Sequence, residues 1–497
     1  AGIPDGAFKV LEGDDKKFVG VLKKQNKQER QTGQISVLAA GEGFSSNVEL
    51  AERARRINRT AKPGLAGIRE QARQWRELEA SPEKQRRKRV ADAWCAAFVW
   101  PKRPDAPAAI TTETVRQLEE AGGTLTPEQT RQLDNLVKSY HFFHWHLEFP
   151  EVFPGIDEDA EDYNPDTGWQ GGFTCVLGNP PWERVKLQEK EFFESRAPEI
   201  AKAPNKAKRE ALIKQLGETE EGAYLLREFQ EAKHQSEGIS LFLRESGKYP
   251  LNGRGDVNTY SVFTEHGREL LHPRGRLGII VPTGIVTDAT PQHFFKDVVK
   301  RRILATVYDF ENRNIFEAVH SSYKFTLLTL AGRAANVERA EFAFFLHSTA
   351  ELSDPEKVFT LSAEEILKLN PNTGTCPVFR SRRDADITLK IYDKAPVLIK
   401  RGEEEENPWG VSFMTMFHMS NDSGLFKTRE DLETDGWRLE GNVFVRGEER
   451  MLPLYEAKML HHYDHRWATY ETSGSARDVF SEEKKNASSL VLPRYWV

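Results

Sequence analysis

The sequence predicts an open α/β fold, with a largely helical region before the sheet and a separate aromatic-rich region after it. Three observations carry this reading. Short β-prone runs alternate with helical stretches after Tyr140, the pattern of strands and helices in one sheet. Loops rich in Gly, Pro and Asn close those runs, where open α/β sheets gather their ligands. At 497 residues the chain exceeds a single compact core, so two to four domains are expected.

Element by element, the first 140 residues are helical. ELAERARRINRT and LAGIREQARQWRELEA have helical periodicity, and Ser81-Pro82-Glu83 reads as a cap and first turn for the next helix. PKRPDAPAA marks a linker near 101–109. TTETVRQLEEAG and TPEQTRQLDNLVKSY each open with a Thr suited to capping. TCVLGN then reads as a buried strand stopped by a rigid Gly-Asn-Pro-Pro loop, followed by charged helix from about Glu189 to Arg244. A helix is expected over Val262 to Leu271, a turn at Pro273-Arg274-Gly275 and a strand over Leu277 to Val281. PQHFFKDVVKRRI is a helix; LATVYDFEN, KFTLLTLAG and AEFAFFLHS are strands. The domains expected are therefore a helical region 1–140, a sheet-bearing core 141–350 and a further domain 351–497.

Composition narrows the function classes. Ten tryptophans and twenty-nine phenylalanines supply real cores, although a mean hydropathy of -0.61 implies a generous polar surface. The net charge of -6 marks neither a polyanion binder nor an acidic tail. Locally the balance differs: residues 51–100 hold thirteen Lys or Arg against six Asp or Glu, including KQRRKR at 84–89. That run is either a solvated helix face or a phosphate-facing one. KKQNKQERQTG and APNKAKREALIK pose the same choice. Cys95, Cys175 and Cys376 are far apart and match no zinc or iron–sulfur spacing, which fits a reducing, cytoplasmic setting. No signal-peptide pattern or membrane span is read, and no metal site is expected. The chain opens at AGIPDGAF and stops at VLPRYWV, which reads as the inside of an element, so a fragment or joined segments are expected; IDEDAEDYNPDTG and KRGEEEENPWG are acidic loops or such joins.

The chemistry concentrates in GGFTCVLGNPPWERV, residues 171–185. Two successive prolines fix φ and hold the loop extended with little entropy left to lose. The Asn179 amide oxygen and a neighbouring carbonyl can then face one amino group. An exocyclic amine of a nucleobase is a poor nucleophile because its lone pair is delocalised; two fixed acceptors favour the more tetrahedral nitrogen as positive charge develops. Trp182 offers a flat face for an unstacked base. The bland alternative is a rigid turn with an Asn cap and a core tryptophan.

With its flanks, this stretch resembles the amino-group DNA methyltransferases of the γ arrangement, most closely the large Eco57I-like restriction–modification and phage-defence enzymes, including those of BREX and DISARM systems. The resemblance implies a partial Rossmann-like methyltransferase sheet, with Asn179, Pro180, Pro181 and Trp182 as the catalytic tetrad. Gly171 to Gly178 match the family's GGFDVVLG, with Thr174 in place of the common Asp. GRLGIIVPTGIVT resembles the next strand and loop, and IFEAVHSSYKFTLLTL the hairpin that presents an aromatic, so Phe316 is carried over as the second stacking face; an ordinary hydrophobic staple is its alternative. HFFHWHLEFPEVF, FHMSNDSGLF and YEAKMLHHYDHRWATY resemble further family segments, the last two at the start of a DNA target-recognition domain. The likeness covers roughly residues 140–497.

The family uses S-adenosylmethionine, held by a Gly-rich loop upstream of the tetrad in this arrangement. LAAGEGFSS, with Gly41 and Gly43, is the one candidate, and it lacks a strand before it and an acidic strand end after it. The expectation is therefore a chain without the cofactor's Gly-rich motif, in which Asn179 and its neighbours are the cofactor-side residues. His141, His144 and His146 read as core or loop histidines, and neither a nuclease set nor a Walker loop is present.

Two readings from different classes follow. One is a site-specific adenine-N6 methyltransferase acting on double-stranded DNA, with N4-cytosine as the alternative base, in a defence system with other subunits. The other is a DNA-binding defence subunit without autonomous methyl transfer.

Overall fold

The computed structural model describes every residue except 1, 40–46, 60–62, 121–122, 156, 314, 318–319, 322, 403 and 472, and the side chains of 33–39. The chain divides into two compact units, Ala1–Pro408 and Trp409–Val497. Residues 351–408, grouped with the C-terminal region on sequence texture, lie in the first unit.

The N-terminal region is helical as read: α1 (Lys16–Ala39), α2 (Val48–Arg59), α3 (Leu65–Glu79), α4 (Pro82–Ala96), α5 (Thr112–Glu119) and α6 (Pro127–Tyr140). Thr126 caps α6 by accepting from the Gln129 N–H, and Gln129 reciprocates, so two orphan donors are satisfied. At α4 the expected cap differs. Pro82 takes the first helical position, but the Ser81 hydroxyl donates back to the Leu78 carbonyl at 2.7 Å instead of capping forward. Ile3, Phe8, Phe98, Trp100, Ile110 and Leu133 form the core here, joined by Leu241 from the long helix α7 (Glu220–Glu245).

Downstream, β1 (Phe173–Gly178), α8 (Thr259–Glu269), β2 (Leu271–Pro282), α9 (Gln292–Lys300), β3 (Leu304–Glu311), β4 (Lys324–Ala331), β5 (Arg339–Leu346) and β6 (Phe359–Ser362) build an α/β layer. The sheet order is β1-β2-β4-β3-β5-β6. β1 with β2 and β3 with β5 are parallel; the other three pairings are antiparallel. The apolar face of α9, with Phe294, Phe295, Val298 and Val299, packs against Leu277, Ile279, Val281 and Val307. This is the open α/β sheet that the sequence predicts, with mixed strand directions.

Two expectations are corrected. The turn at Pro273-Arg274-Gly275 lies inside β2, where the ladder to β1 slips between Phe173 and Cys175 and the extra residues bulge. The strand TCVLG is not buried: Thr174, Cys175 and Gly178 are exposed, and Leu177 is 79% exposed. Among the described residues β2 is the only strand paired with β1, so β1 is an edge strand. Its apolar composition is that of an interior strand, which is why pattern reading buried it.

The second unit carries a three-stranded antiparallel sheet, Arg438–Glu440, Val443–Arg446 and Glu449–Met451, over a core of Leu432, Phe444 and Trp496. Tyr495–Trp496 pairs antiparallel with Pro453–Leu454.

Candidate functional site

Two glycines launch the site. Gly171 and Gly172 have φ of 92° and 125°. A Cβ on Gly172 would lie 2.4 Å from the His272 nitrogen, so only glycine passes this close to β2 in that conformation. Phe173 is then gripped edge-on by Trp145, Phe149 and Phe153, at ring distances of 5.6, 5.4 and 5.5 Å. The aromatic run HFFHWHLEFPEVF is thus the anchor for the start of β1. Each such pair contributes about 1 kcal/mol beyond burial.

At the other end of β1, Asn179 is exposed, and its amide makes no hydrogen bond among the described residues. Pro180 is buried, and its carbonyl is likewise unengaged among them. The Pro181 carbonyl is occupied: Thr259 Oγ1 donates to it at 2.6 Å and accepts from the Glu183 N–H at 3.0 Å. The Thr259 N–H reaches the Glu183 carbonyl at 2.9 Å, and the Val185 N–H the Val257 carbonyl at 3.0 Å. The tetrad loop is therefore stitched to the start of α8.

Trp182 is half-buried against Phe310 and Phe325, and its Nε1 is buried without an acceptor among the described residues. Phe316 reaches the same pair, edge-on to Phe325 at 5.1 Å, while Phe310 and Phe325 stack at 5.4 Å. Asn312, only 1% exposed, sets the turn that carries Phe316. Its Oδ1 accepts from the Phe316 N–H at 2.9 Å, and its Nδ2 donates to the Phe316 carbonyl at 3.0 Å. The structure thus brings Trp182 and Phe316 onto one aromatic cluster, with Asn179 three residues before Trp182.

Beside this cluster lies Asp309, 1% exposed, which accepts from the Thr283 hydroxyl and from the Phe345 N–H. Burial pushes its carboxyl up, and those two hydrogen bonds pull the other way. Thr259, Thr283, Asp309 and Asn312 escaped the sequence reading. Only Asn258-Thr259, ahead of a helical run, carried a local signal, that of a helix start.

The remaining sequence candidates resolve into packing and surface. His144 pairs with Asp92 at 2.7 Å in the interior; His146 stacks on Trp169 at 4.5 Å, and burial lowers it to about 3. In KQRRKR, Lys84, Arg87, Lys88 and Arg89 are paired with Glu79, Glu83, Asp92 and Asp134, which spends the run on intramolecular contacts. Gly41 and Gly43 lie outside the described residues, but the chain leading to them is helix α1 up to Ala39, not a strand.

Residues 86–213 match the family model of the Eco57I restriction-modification methylase. That span contains Asn179, Pro180, Pro181 and Trp182. No curated protein matches the sequence. Among solved structures, the chain is similar to a type I restriction-modification system methyltransferase subunit from Streptococcus thermophilus, with 15% identity over 45% of this chain and 41% of that one, at a TM-score of 0.25. It is also similar to a nuclease-deletion mutant of the Type ISP restriction-modification enzyme LlaGI in complex with a DNA substrate mimic, with 12% identity over 35% of this chain and 14% of that one, at 0.17. The chain thus spans under half the length of either. Among the described residues no helix is long and apolar enough to cross a membrane.

Proposed function

We propose that this chain carries the base-binding half of a site-specific DNA amino-methyltransferase, acting on adenine N6 with S-adenosylmethionine, in a restriction–modification or phage-defence system with other subunits. The supporting observation is the state of the tetrad. Asn179 and the Pro180 carbonyl are unengaged acceptors, while the neighbouring Pro181 carbonyl is tied down by Thr259. An amino group entering between the two free acceptors loses hydrogen-bond freedom and gains dipoles aimed at its developing charge. Trp182 and Phe316, sharing one cluster, supply aromatic faces for the extruded ring. Base extrusion costs a few kcal/mol, which stacking at about 1–3 kcal/mol per base offsets.

The described residues do not fit a cradle for S-adenosylmethionine. No strand pairs with β1 on its outer edge among them, and the GxG run upstream of the tetrad, Gly41 and Gly43, comes after helix α1. The chain's own part is therefore to bind the base, orient its amino group and exclude water from it. That same observation favours the second reading, a DNA-binding defence subunit without autonomous methyl transfer, for the chain acting alone. The second unit would supply target recognition.

The test is a duplex carrying 2-aminopurine at a mismatch, where extrusion costs least. Wild-type chain should raise its emission at low salt, and Trp182→Ala and Phe316→Ala should each reduce that rise. Because 2-aminopurine lacks a 6-amino group, Asn179 is tested with adenine against purine at the mismatch: Asn179→Ala should lose the preference for adenine without lowering the melting temperature. A stability loss in Asn179→Ala with an unchanged preference for adenine would assign NPPW to a rigid turn.

A further inference from the structure

Phe345 is a β-strand residue in a left-handed conformation, φ 59°. The ladder between β3 and β5 slips there, from Tyr308↔Ala343 to Phe310↔Leu346, so Phe345 sits on a bulge. Non-glycine residues hold such a conformation only where the surroundings over-determine it, and bulges serve to re-aim a side chain. The clamp is visible: the Phe345 N–H donates to Asp309 Oδ2 at 3.2 Å, and Asp309 is fixed from the other side by Thr283. The re-aimed ring carries two cations. Lys324 Nζ lies 4.5 Å from its centroid and Arg380 Cζ 4.6 Å.

The charges around this ring do not balance. Arg380 is exposed and makes no ion pair among the described residues. Lys324 and Arg313 both lean on Glu311, at 3.3 and 3.2 Å, and His347 reaches the same carboxylate at 3.1 Å. Two permanent cations and a histidine thus share one carboxylate, and both ring-held cations remain open to solvent. A guanidinium laid on an aromatic face is weakly hydrated and already ordered, so it loses little on meeting an anion. The position also matters. Lys324 is followed by Phe325, which contacts Phe316.

We propose that Lys324 and Arg380, ordered on Phe345, bind a backbone phosphodiester of the DNA strand whose base enters the Trp182–Phe316 site. The choice of DNA as the source of that phosphate rests on the proposed function. Phe345 is the platform: its strained placement by Asp309 holds both cations at one edge of the aromatic site.

The test uses the full chain and the double variant Lys324→Met with Arg380→Met, which keeps apolar cover on the ring and removes both charges. Duplex binding is measured across a salt series alongside 2-aminopurine emission. Each phosphate neutralised contributes about 0.9 to the slope of log K against log salt, so the double variant, which releases one phosphate, should flatten it by about 0.9. An unchanged slope with normal emission would overturn the phosphate site and leave the base-binding reading standing. A flattened slope without emission even in wild type would do the reverse. No DNA binding by wild type would overturn both. The melting temperature of the double variant should stay within a few degrees of wild type; if the variant is unfolded, Arg380→Gln alone should flatten the slope by part of that amount, and an unchanged slope in it would overturn the phosphate site.

Discussion

Thr259 Oγ1 lies 2.6 Å from the carbonyl oxygen of Pro181, the second proline of the tetrad, and this hydrogen bond separates the loop's acceptors. It engages the carbonyl that faces α8 and leaves the preceding Pro180 carbonyl and Asn179 unengaged among the described residues. A proline pair alone fixes φ but not the tilt of its carbonyls; the hydroxyl supplies that constraint.

Thr259→Val keeps the shape and removes the donor. One hydrogen bond contributes about 1 kcal/mol, and a Glu183 N–H also loses its acceptor, so a stability loss of about 1–2 kcal/mol is expected in urea titration. Emission from extruded 2-aminopurine should fall more than binding of intact duplex does. Thr259→Ser should restore both. A Val variant with wild-type emission would show that the prolines orient the loop unaided.

Trp182 is the second case in which one atom decides. Its ring packs on Phe310 and Phe325, but its Nε1 is buried with no acceptor among the described residues, at a cost of about 1–3 kcal/mol. Trp182→Phe removes that donor and keeps an aromatic face. Its unfolding free energy is expected within about 1 kcal/mol of wild type or above it, with 2-aminopurine emission retained. Trp182→Ala should lose about 2–3 kcal/mol as well as the emission. A Phe variant as unstable as the Ala variant would mean that the indole N–H has a partner in solution.

Charge burial at the opposite end of the sheet gives a pH signature. Burial pushes the Glu269 carboxyl up to about 8 from a usual 4.5, with Glu265 adding in the same direction. Between about pH 4.5 and about pH 8 the folded chain therefore holds a proton that the unfolded chain releases. Its stabilising share is complete below the lower value and declines as pH rises across the window, by up to about 1.4 kcal/mol per unit. Glu269→Gln removes this decline, so the variant should gain on wild type as pH rises. Parallel pH–stability curves would rule out the buried proton.

Much of this was legible in the sequence because local chemistry and global role agreed. The GGF entry, the rigid NPPW loop and the strand–helix alternation each carry their cause in adjacent residues, and each stands where pattern placed it. What was not legible depends on contacts distant in sequence. Thr259 meets Pro181 across 78 residues, and Phe345 N–H meets Asp309 across 36. KQRRKR could not be assigned because pairing, not composition, decides whether a cation is available, and four of its side chains are already paired. The exposure of β1 was misread for a related reason: alternation reports the faces of a strand and says nothing of its edges.

That edge yields the last prediction. TCVLG has no charge, proline or lysine to discourage pairing, although exposed edge strands usually carry such protection. Cys175 stands on it and is exposed, whereas Cys376 is buried and Cys95 is pushed up to about 11, mainly by burial. Because the thiolate is the nucleophile, a maleimide or disulfide reagent should modify Cys175 at least about tenfold faster than the other two in the native chain. Peptide mapping by mass spectrometry reads this directly. Selective modification of Cys175 would establish that β1 stands open beside Asn179 in solution. Protection equal to that of Cys376 would show that another strand or another copy of the chain covers the edge.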